Sequence, residues 1–320
     1  MLPGVVLLLA LSAIPTGGQT YEVKAELQAG LASHFIRLQA RDLPFQKEPD
    51  LPAHVLARFI LPVADDSRII GLLADADANA LFVDLNADGD LTNDPNSIFT
   101  AERPRSPSGP MHIVDLPIPI GQVLGTDPNL IYRFEGWFYV ALQNRGHGIL
   151  LLKSAYIAGV PIKGLPFVLS FIDTNLDGQI DLADKVRITG PSVGGQLSNQ
   201  GELPIPKQLY IAGSTLELDL DRFPLIELRP AELPTGRLIL DANEATLALL
   251  FSERERRIAW LDPSEGPFEL PAGAYRCLGL AINGPHRPVW ASDCSRISVK
   301  ILQAGQATLS FGAPSITMSR

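Results

Sequence analysis

The stretch "LYIAGSTLELDLD", Leu209–Asp221, decides the fold class. Leu216, Leu218 and Leu220 alternate there with Glu217, Asp219 and Asp221. A period of two places the leucines on one face of an extended chain and the acids on the other. That is the pattern of an antiparallel strand with one buried face. Short apolar runs of the same kind recur along the chain, among them "RFILPV" (58–63), "RIIGLLA" (68–74), "WFYVALQ" (137–143), "FVLSFID" (167–173), "RIAWLD" (257–262) and "YRCLGLAI" (275–282). Each has the length of a strand and is bounded by Gly, Pro, Asp or Asn. "EATLALLFSERERR" (244–257) is the one segment open to a helix, with Glu253 and Arg257 spaced i to i+4. The charged tip followed by "RIAWLD" favours a hairpin instead. The expected class is all-β with little helix: tandem small antiparallel β domains, a duplicated unit followed by a C-terminal β-sandwich.

The chain has 320 residues, 46% of them apolar, which is enough to bury a core and to form two or three domains. Its 27 Pro and 27 Gly predict many short segments. A net charge of −9 argues against nucleic acid and anionic membrane surfaces as partners and suits a protein that attracts cations. "MLPGVVLLLALSAIPTGGQT" reads as a secretory signal, with an apolar run too short to span a bilayer, although its n-region lacks Lys and Arg. No later segment reaches membrane-spanning length. The expected location is secreted or periplasmic. Cys277 and Cys294 are expected to pair in such a compartment, inert buried thiols being the alternative.

Three Pro- and Gly-rich stretches punctuate the chain: "RPRSPSGP" (103–110), "GPSVGGQLSNQGELP" (190–204) and "RPAELPTG" (229–236). They predict a signal peptide at 1–19 and domains at 20–110, 111–228 and 229–320. The first two domains carry related sequences. "FVDLNADG" (82–89) matches "FIDTNLDG" (171–178), with Asp84 and Asp173 standing 89 residues apart. That spacing suits a duplicated small domain rather than a solenoid repeat.

Both matching stretches open acidic loops. A calcium ion takes six to eight hard oxygen ligands, and a twelve-residue loop supplies them from positions 1, 3, 5, 7, 9 and 12, with Gly at position 6. In the second loop those positions hold Asp173, Asn175, Asp177, Gln179 (through its carbonyl), Asp181 and Asp184, with Gly178 at the turn. In the first loop Asp84, Asn86, Asp88, Gly89 and Asp90 fit, but Thr92 and Pro95 stand at positions 9 and 12. Asp94, one place early, is the substitute acid. Ordinary Asx-turns explain one or two such residues but not four carboxylates in twelve.

The two stretches resemble the loops of EF-hand and dockerin-type calcium sites, which implies Ca²⁺ as the cofactor and a binding role only. An EF-hand has flanking helices, whereas "VLSFI" before Asp173 reads as a strand. Dockerin loops lie close together, unlike these. "GPFELPAGAYRCLGLAI" (266–282) resembles the Pro-Gly-x-Tyr turn of transthyretin-like and carboxypeptidase-regulatory-like sandwiches, modules that pack or bind rather than catalyse. "KILQAGQATLSFGAP" (300–314) reads as a closing hairpin.

Catalytic signatures are near misses. "GPSVG" (190–194) has the nucleophile-elbow pattern without a following helix. His34, His54, His112, His147 and His286 stand singly, with no zinc spacing. The expectation is therefore a calcium-stabilised β protein with a structural or binding role and no catalysis. Two alternatives remain: a glycan hydrolase working through paired carboxylates, and a carbohydrate-binding module presenting the aromatic group around Trp137, with Phe134, Phe138 and Tyr139. The partners expected are a glycan or another extracytoplasmic protein.

Overall fold

The computed structural model describes residues 20–41, 45–50, 56–64, 68–102, 109–141, 145–190, 202–241, 245–283, 288–291 and 297–310. Within them the protein is all-β. The strands β1 (Tyr21–Lys24), β2 (Glu26–Gln39), β3 (Leu56–Val63), β4 (Arg68–Asp75), β5 (Ala80–Val83) and β6 (Ile98–Thr100) come first. β7 (Met111–Ile118) leads through a five-residue helix, α1 (Ile120–Leu124), to β8 (Tyr132–Ala141). A long pair follows, β9 (Arg145–Ile162) and β10 (Leu165–Ile172), then β11 (Lys185–Thr189), β12 (Leu203–Pro204), β13 (Gln208–Ile211) and β14 (Ser214–Asp219). The chain continues through β15 (Leu225–Pro230), β16 (Thr235–Asp241), β17 (Ala245–Ser252), β18 (Arg257–Leu261) and β19 (Phe268–Pro271). It closes with β20 (Gly273–Asn283), β21 (Pro288–Ala291), β22 (Ser298–Ile301) and β23 (Gln306–Ser310). No helix among the described residues is long and apolar enough to cross a membrane.

Two compact units divide the chain. One comprises Met1–Glu26, Ile157–Leu169 and Val186–Arg320; the other comprises Leu27–Tyr156 and Ser170–Lys185. The second acidic loop, Asp173–Asp184, thus belongs to the same unit as the first. In the first-named unit one sheet runs β1-β15-β14-β13-β18-β17-β20-β21, with β22 also on β20, beside a three-stranded sheet β19-β16-β23. The described part of the helix-or-hairpin segment, 245–257, forms the β17–β18 hairpin, with Ser252 opposite Arg257, rather than a helix. β14 holds the alternating "TLELD", pairing antiparallel with β13 and β15. Leu238, Leu250, Leu261, Leu270 and Cys277 share one buried cluster. The buried Arg257 guanidinium is held by Gln208 Oε1 (2.8 Å) and the Tyr275 hydroxyl (3.0 Å), and that hydroxyl donates to Pro271 O (2.9 Å). These bonds satisfy a cation that would otherwise be costly to bury and close the "LPAGAY" turn.

The expected closing hairpin takes another form. β22 pairs with β20, while β23 lies parallel to β16 in the three-stranded sheet. The backbone between them is bound to β16 instead: Arg237 N donates to Gly305 O (2.8 Å) and Ala304 N to Thr235 O (2.8 Å). Cys277 is buried on β20, its sulfur 3.6 Å from Gly279 O. Cys294, and with it the expected disulfide, lies outside the described residues, as do the signal segment, Pro191–Gly201, His54 and His286.

In the other unit, β3-β4-β5-β6 form one antiparallel sheet, and β7, β8, β9 and β2 pair in that order. Period-two alternation sorts their side chains. On β3, Ala57, Phe59, Leu61 and Val63 are fully buried and Arg58, Ile60 and Pro62 face outward. On β8, Tyr132, Phe134 and Phe138 face inward, while Glu135, Trp137 and Tyr139 face outward. Phe59 and Phe138 meet in this core with ring centroids 5.5 Å apart. The buried Leu73, Phe82 and Leu91 pack together, with Phe45 against them. Truncating Phe59 to alanine removes a ring packed on all sides, so Phe59→Ala should cost about 3–5 kcal/mol in urea denaturation. Ile98→Thr, at a side chain 61% exposed, should stay within about 0.5 kcal/mol.

Candidate metal centre

The two acidic loops leave the ends of β5 and β10 with one hydrogen-bond pattern. In the first, Asp84 Oδ1 accepts from Asp88 N (3.1 Å) and Oδ2 from Gly89 N (2.9 Å). In the second, Asp173 Oδ1 accepts from Asp177 N (3.2 Å) and Oδ2 from Gly178 N (2.7 Å). Asn86 and Asn175 each accept from the amide two residues on, at 2.9 and 3.2 Å. Asp88 and Asp177 do the same toward Asp90 N (2.7 Å) and Gln179 N (2.8 Å). Ala87 and Leu176 are both left-handed, with φ of 58° and 59°, and so are Gly89 and Gly178, at 85° and 78°. At Gly178 a Cβ would also stand 2.9 Å from Leu130 Cδ2. A side chain there meets both strain and a neighbour, so glycine is favoured.

The loops close alike despite their unequal lengths. Leu85 N donates to Asp94 Oδ2 (2.9 Å), and Thr174 N to Asp184 Oδ1 (2.8 Å). Asp94 thus accepts from the loop's second residue, as Asp184 does in the longer loop. At the eighth position Leu91 and Ile180 are both buried.

The loops differ in burial and charge. In the first loop Lys47 Nζ lies 3.8 Å from Asp90 Oδ2, and Asn93 Nδ2 donates to Asp88 Oδ2 (2.8 Å). Asp90 also takes the Thr92 hydroxyl (2.6 Å), and these bonds hold Asp88 and Asp90 below the usual carboxylate range. Burial pushes Asp84 and Asp94 up. The opening acids Asp84 and Asp173 are both 3% exposed, but the closing acid Asp184 is 1% exposed where Asp94 is half-buried. Asp184 is raised by burial, and Asp173 is pushed up to about 7, burial being the main cause. Hydrogen bonds from Tyr132 and Gly178 oppose the shift, while Asp184 and Asp177 add like charge. Asp181 is exposed and caps Ala183 N (2.6 Å).

Tyr132 is the residue that the motif does not contain. Its buried hydroxyl donates to Asp173 Oδ2 at 2.6 Å and is itself hydrogen-bonded to Tyr156. Burial and the Asp173 charge raise the Tyr132 phenol well above its ordinary value. Counting back in twos from Phe134 on β8 places Tyr132 on the inner face, which is the sequence signal for it.

Among the described residues, no three His, Cys, Asp or Glu side chains are gathered into a group fit to hold a metal as they stand. The loop carboxylates bind their own backbone amides. Asx-type bonds of this sort account for Asn86, Asp88 and Asp90 without an ion. They do not account for two acids buried together in the second loop. The side-chain donors, carboxylate and amide oxygens, are those a hard cation takes.

Other predicted residues fall elsewhere. His112 stacks on Trp137 (5.1 Å, 7°) and lies 2.9 Å from Glu135, which also takes Lys153 (2.9 Å). His147 stacks on Tyr139 at 4.4 Å. Comparison with family models, curated proteins and solved structures finds no match to this chain.

Removing the Tyr132 hydroxyl leaves a buried carboxylate one donor short. At pH 8, where Asp173 is ionised, Tyr132→Phe should cost about 1.5–3 kcal/mol by urea denaturation. Tyr139→Phe, on the outer face of the same strand, should be neutral.

Proposed function

We propose that the chain is an extracytoplasmic, calcium-stabilised β protein with a structural or binding role and no catalysis of its own. The observation that carries this reading is the burial of Asp173 and Asp184 together at the start and end of one loop. Two neighbouring buried carboxylates are costly unless one takes up a proton or a cation lies between them, and a cation relieves both at neutral pH and above. The first loop, with the same backbone turns and the same closing bond, supports a second site of the same kind. Ca²⁺ suits oxygen donors on a flexible loop better than Mg²⁺, which demands near-ideal octahedral geometry. Asp173, Asn175, Asp177, the Gln179 carbonyl, Asp181 and Asp184 would hold one ion; Asp84, Asn86, Asp88, Asp90 and Asp94 would hold the other. Bound calcium supplies the missing positive charge and stiffens the corners after β10 and β5. The export-type leader of the sequence agrees with a compartment where calcium is plentiful.

A glycan-binding role is a second reading, favoured by Trp137 and Tyr139 projecting from the outer face of β8. A glycan array tests it: retention lost in Trp137→Ala supports it, and an empty array removes it.

Calcium titration by calorimetry should find two sites. At millimolar calcium, with a dissociation constant near 10⁻⁴ M, the second site adds about 1.4 kcal/mol, and the weaker first site adds less. Chelator should lower the melting temperature accordingly. Asp173→Ala should abolish the second site's share, and Asp84→Ala the smaller share of the first. If no heat of binding is seen and melting ignores chelator, the loops are acidic turns and the proposal fails.

A further inference from the structure

Strands β2 and β3 each have one edge that no described strand pairs with. Among the described residues β2 pairs only with β9, and β3 only with β4. The two edges approach at one point, where Arg41 N, just past the end of β2, donates to Arg58 O at 2.9 Å. Ala40 N is turned the other way, to Gly146 O on β9. Backbone groups alternate along a strand. Gln39, Arg37 and Phe35 therefore direct their N–H and C=O groups to the same side as Arg41, away from β9. On β3 the same alternation directs Ile60 and the Pro62 carbonyl to the side of Arg58.

A groove of about 440 Å³ lies here, lined by Arg37, Gln39, Arg41, Ile60, Pro62 and Ile69. Past Arg37 and Pro62 it meets a second hollow of about 400 Å³ that reaches Thr174 and Asn175. Phe35 and Ile69 are 61% and 47% exposed, although both are large and apolar. No Asp or Glu lines either hollow among the described residues, in a chain whose net charge is −9. Arg37 makes no ion pair among the described residues. Apolar side chains, a guanidinium and unpaired strand edges thus meet in one place.

We propose that this groove is a docking site for an extended polypeptide segment of a partner, with alternating apolar and acidic side chains, that adds a strand beside β2 and β3. Main-chain bonds to the open edges supply affinity, and Arg37 selects for a carboxylate. One residue of extended chain fills about 160 Å³, taking 3.3 Å of rise, 4.8 Å between strands and 10 Å between layers. Each hollow therefore takes two or three residues. The inference does not rest on calcium binding.

The test uses the full chain with calcium present and a short, fluorescently labelled, acetylated peptide alternating valine and aspartate. Saturable binding is expected, weakened at least tenfold by Arg37→Glu and by replacing aspartate with lysine, as opposite charge selection requires. N-methylation of alternate peptide residues should abolish it. Arg37 is exposed, so circular dichroism should find the variant folded. Binding that survives N-methylation overturns the proposal, and so does no binding at all. Uptake of dodecanoate without peptide binding would make the groove an amphiphile site and also overturns it. Dimerisation lost in Arg37→Glu, without peptide binding, would assign the groove to a second copy and overturns it too.

Discussion

The two-residue period of the extended chain is the constraint on which this structure rests. It sends Phe134 and Phe138 into the core and Trp137 and Tyr139 out of it, from a single aromatic run. It places Tyr132 inside, where its hydroxyl reaches Asp173 at 2.6 Å. It also aims the backbone of Arg37 and Gln39 away from β9, to an edge that no strand among the described residues covers. A shift of one residue in β8 would exchange every one of the β8 positions.

The acidic loops begin where that alternation ends. Phe171 and Ile172 are buried in β10, and Asp173 follows them while still inside the apolar boundary. A carboxylate in that position has few ways to be satisfied. The Tyr132 hydroxyl and two loop amides use its lone pairs but do not cancel its charge. The first loop faces a milder version of the same problem. Its Asp88 and Asp90 are exposed or half-buried, and Lys47 stands near. One loop pattern thus appears at two levels of electrostatic demand.

The apolar packing and the polar networks have separate tasks. Burial of each large side chain such as Phe59 or Leu61 supplies roughly 1.5–3 kcal/mol without specifying direction. Direction comes from bonds such as Arg257 to Gln208 and Tyr275, which join β18, β13 and β20 at one point. Leu85 N to Asp94 and Thr174 N to Asp184 do the same for the loops, closing each from its second residue.

The sequence by itself determined the all-β class, because alternation and turn residues are local properties. "TLELD" and the charged tip between β17 and β18 needed no long-range information. The paired acidic loops were legible for the same reason: their turns are made by residues within twelve positions of one another. Only the tertiary structure decided what surrounds them. Tyr132 comes to Asp173 from 41 residues away, and no local pattern states that meeting. The separate pairings of β22 and β23 were hidden likewise, since each strand's partner lies more than 20 residues upstream. Which strands pair among the described residues, and that both acidic loops share one unit, follow from how distant parts of the chain meet. Those outcomes depend on backbone hydrogen bonds between distant segments, to which side-chain periodicity is blind.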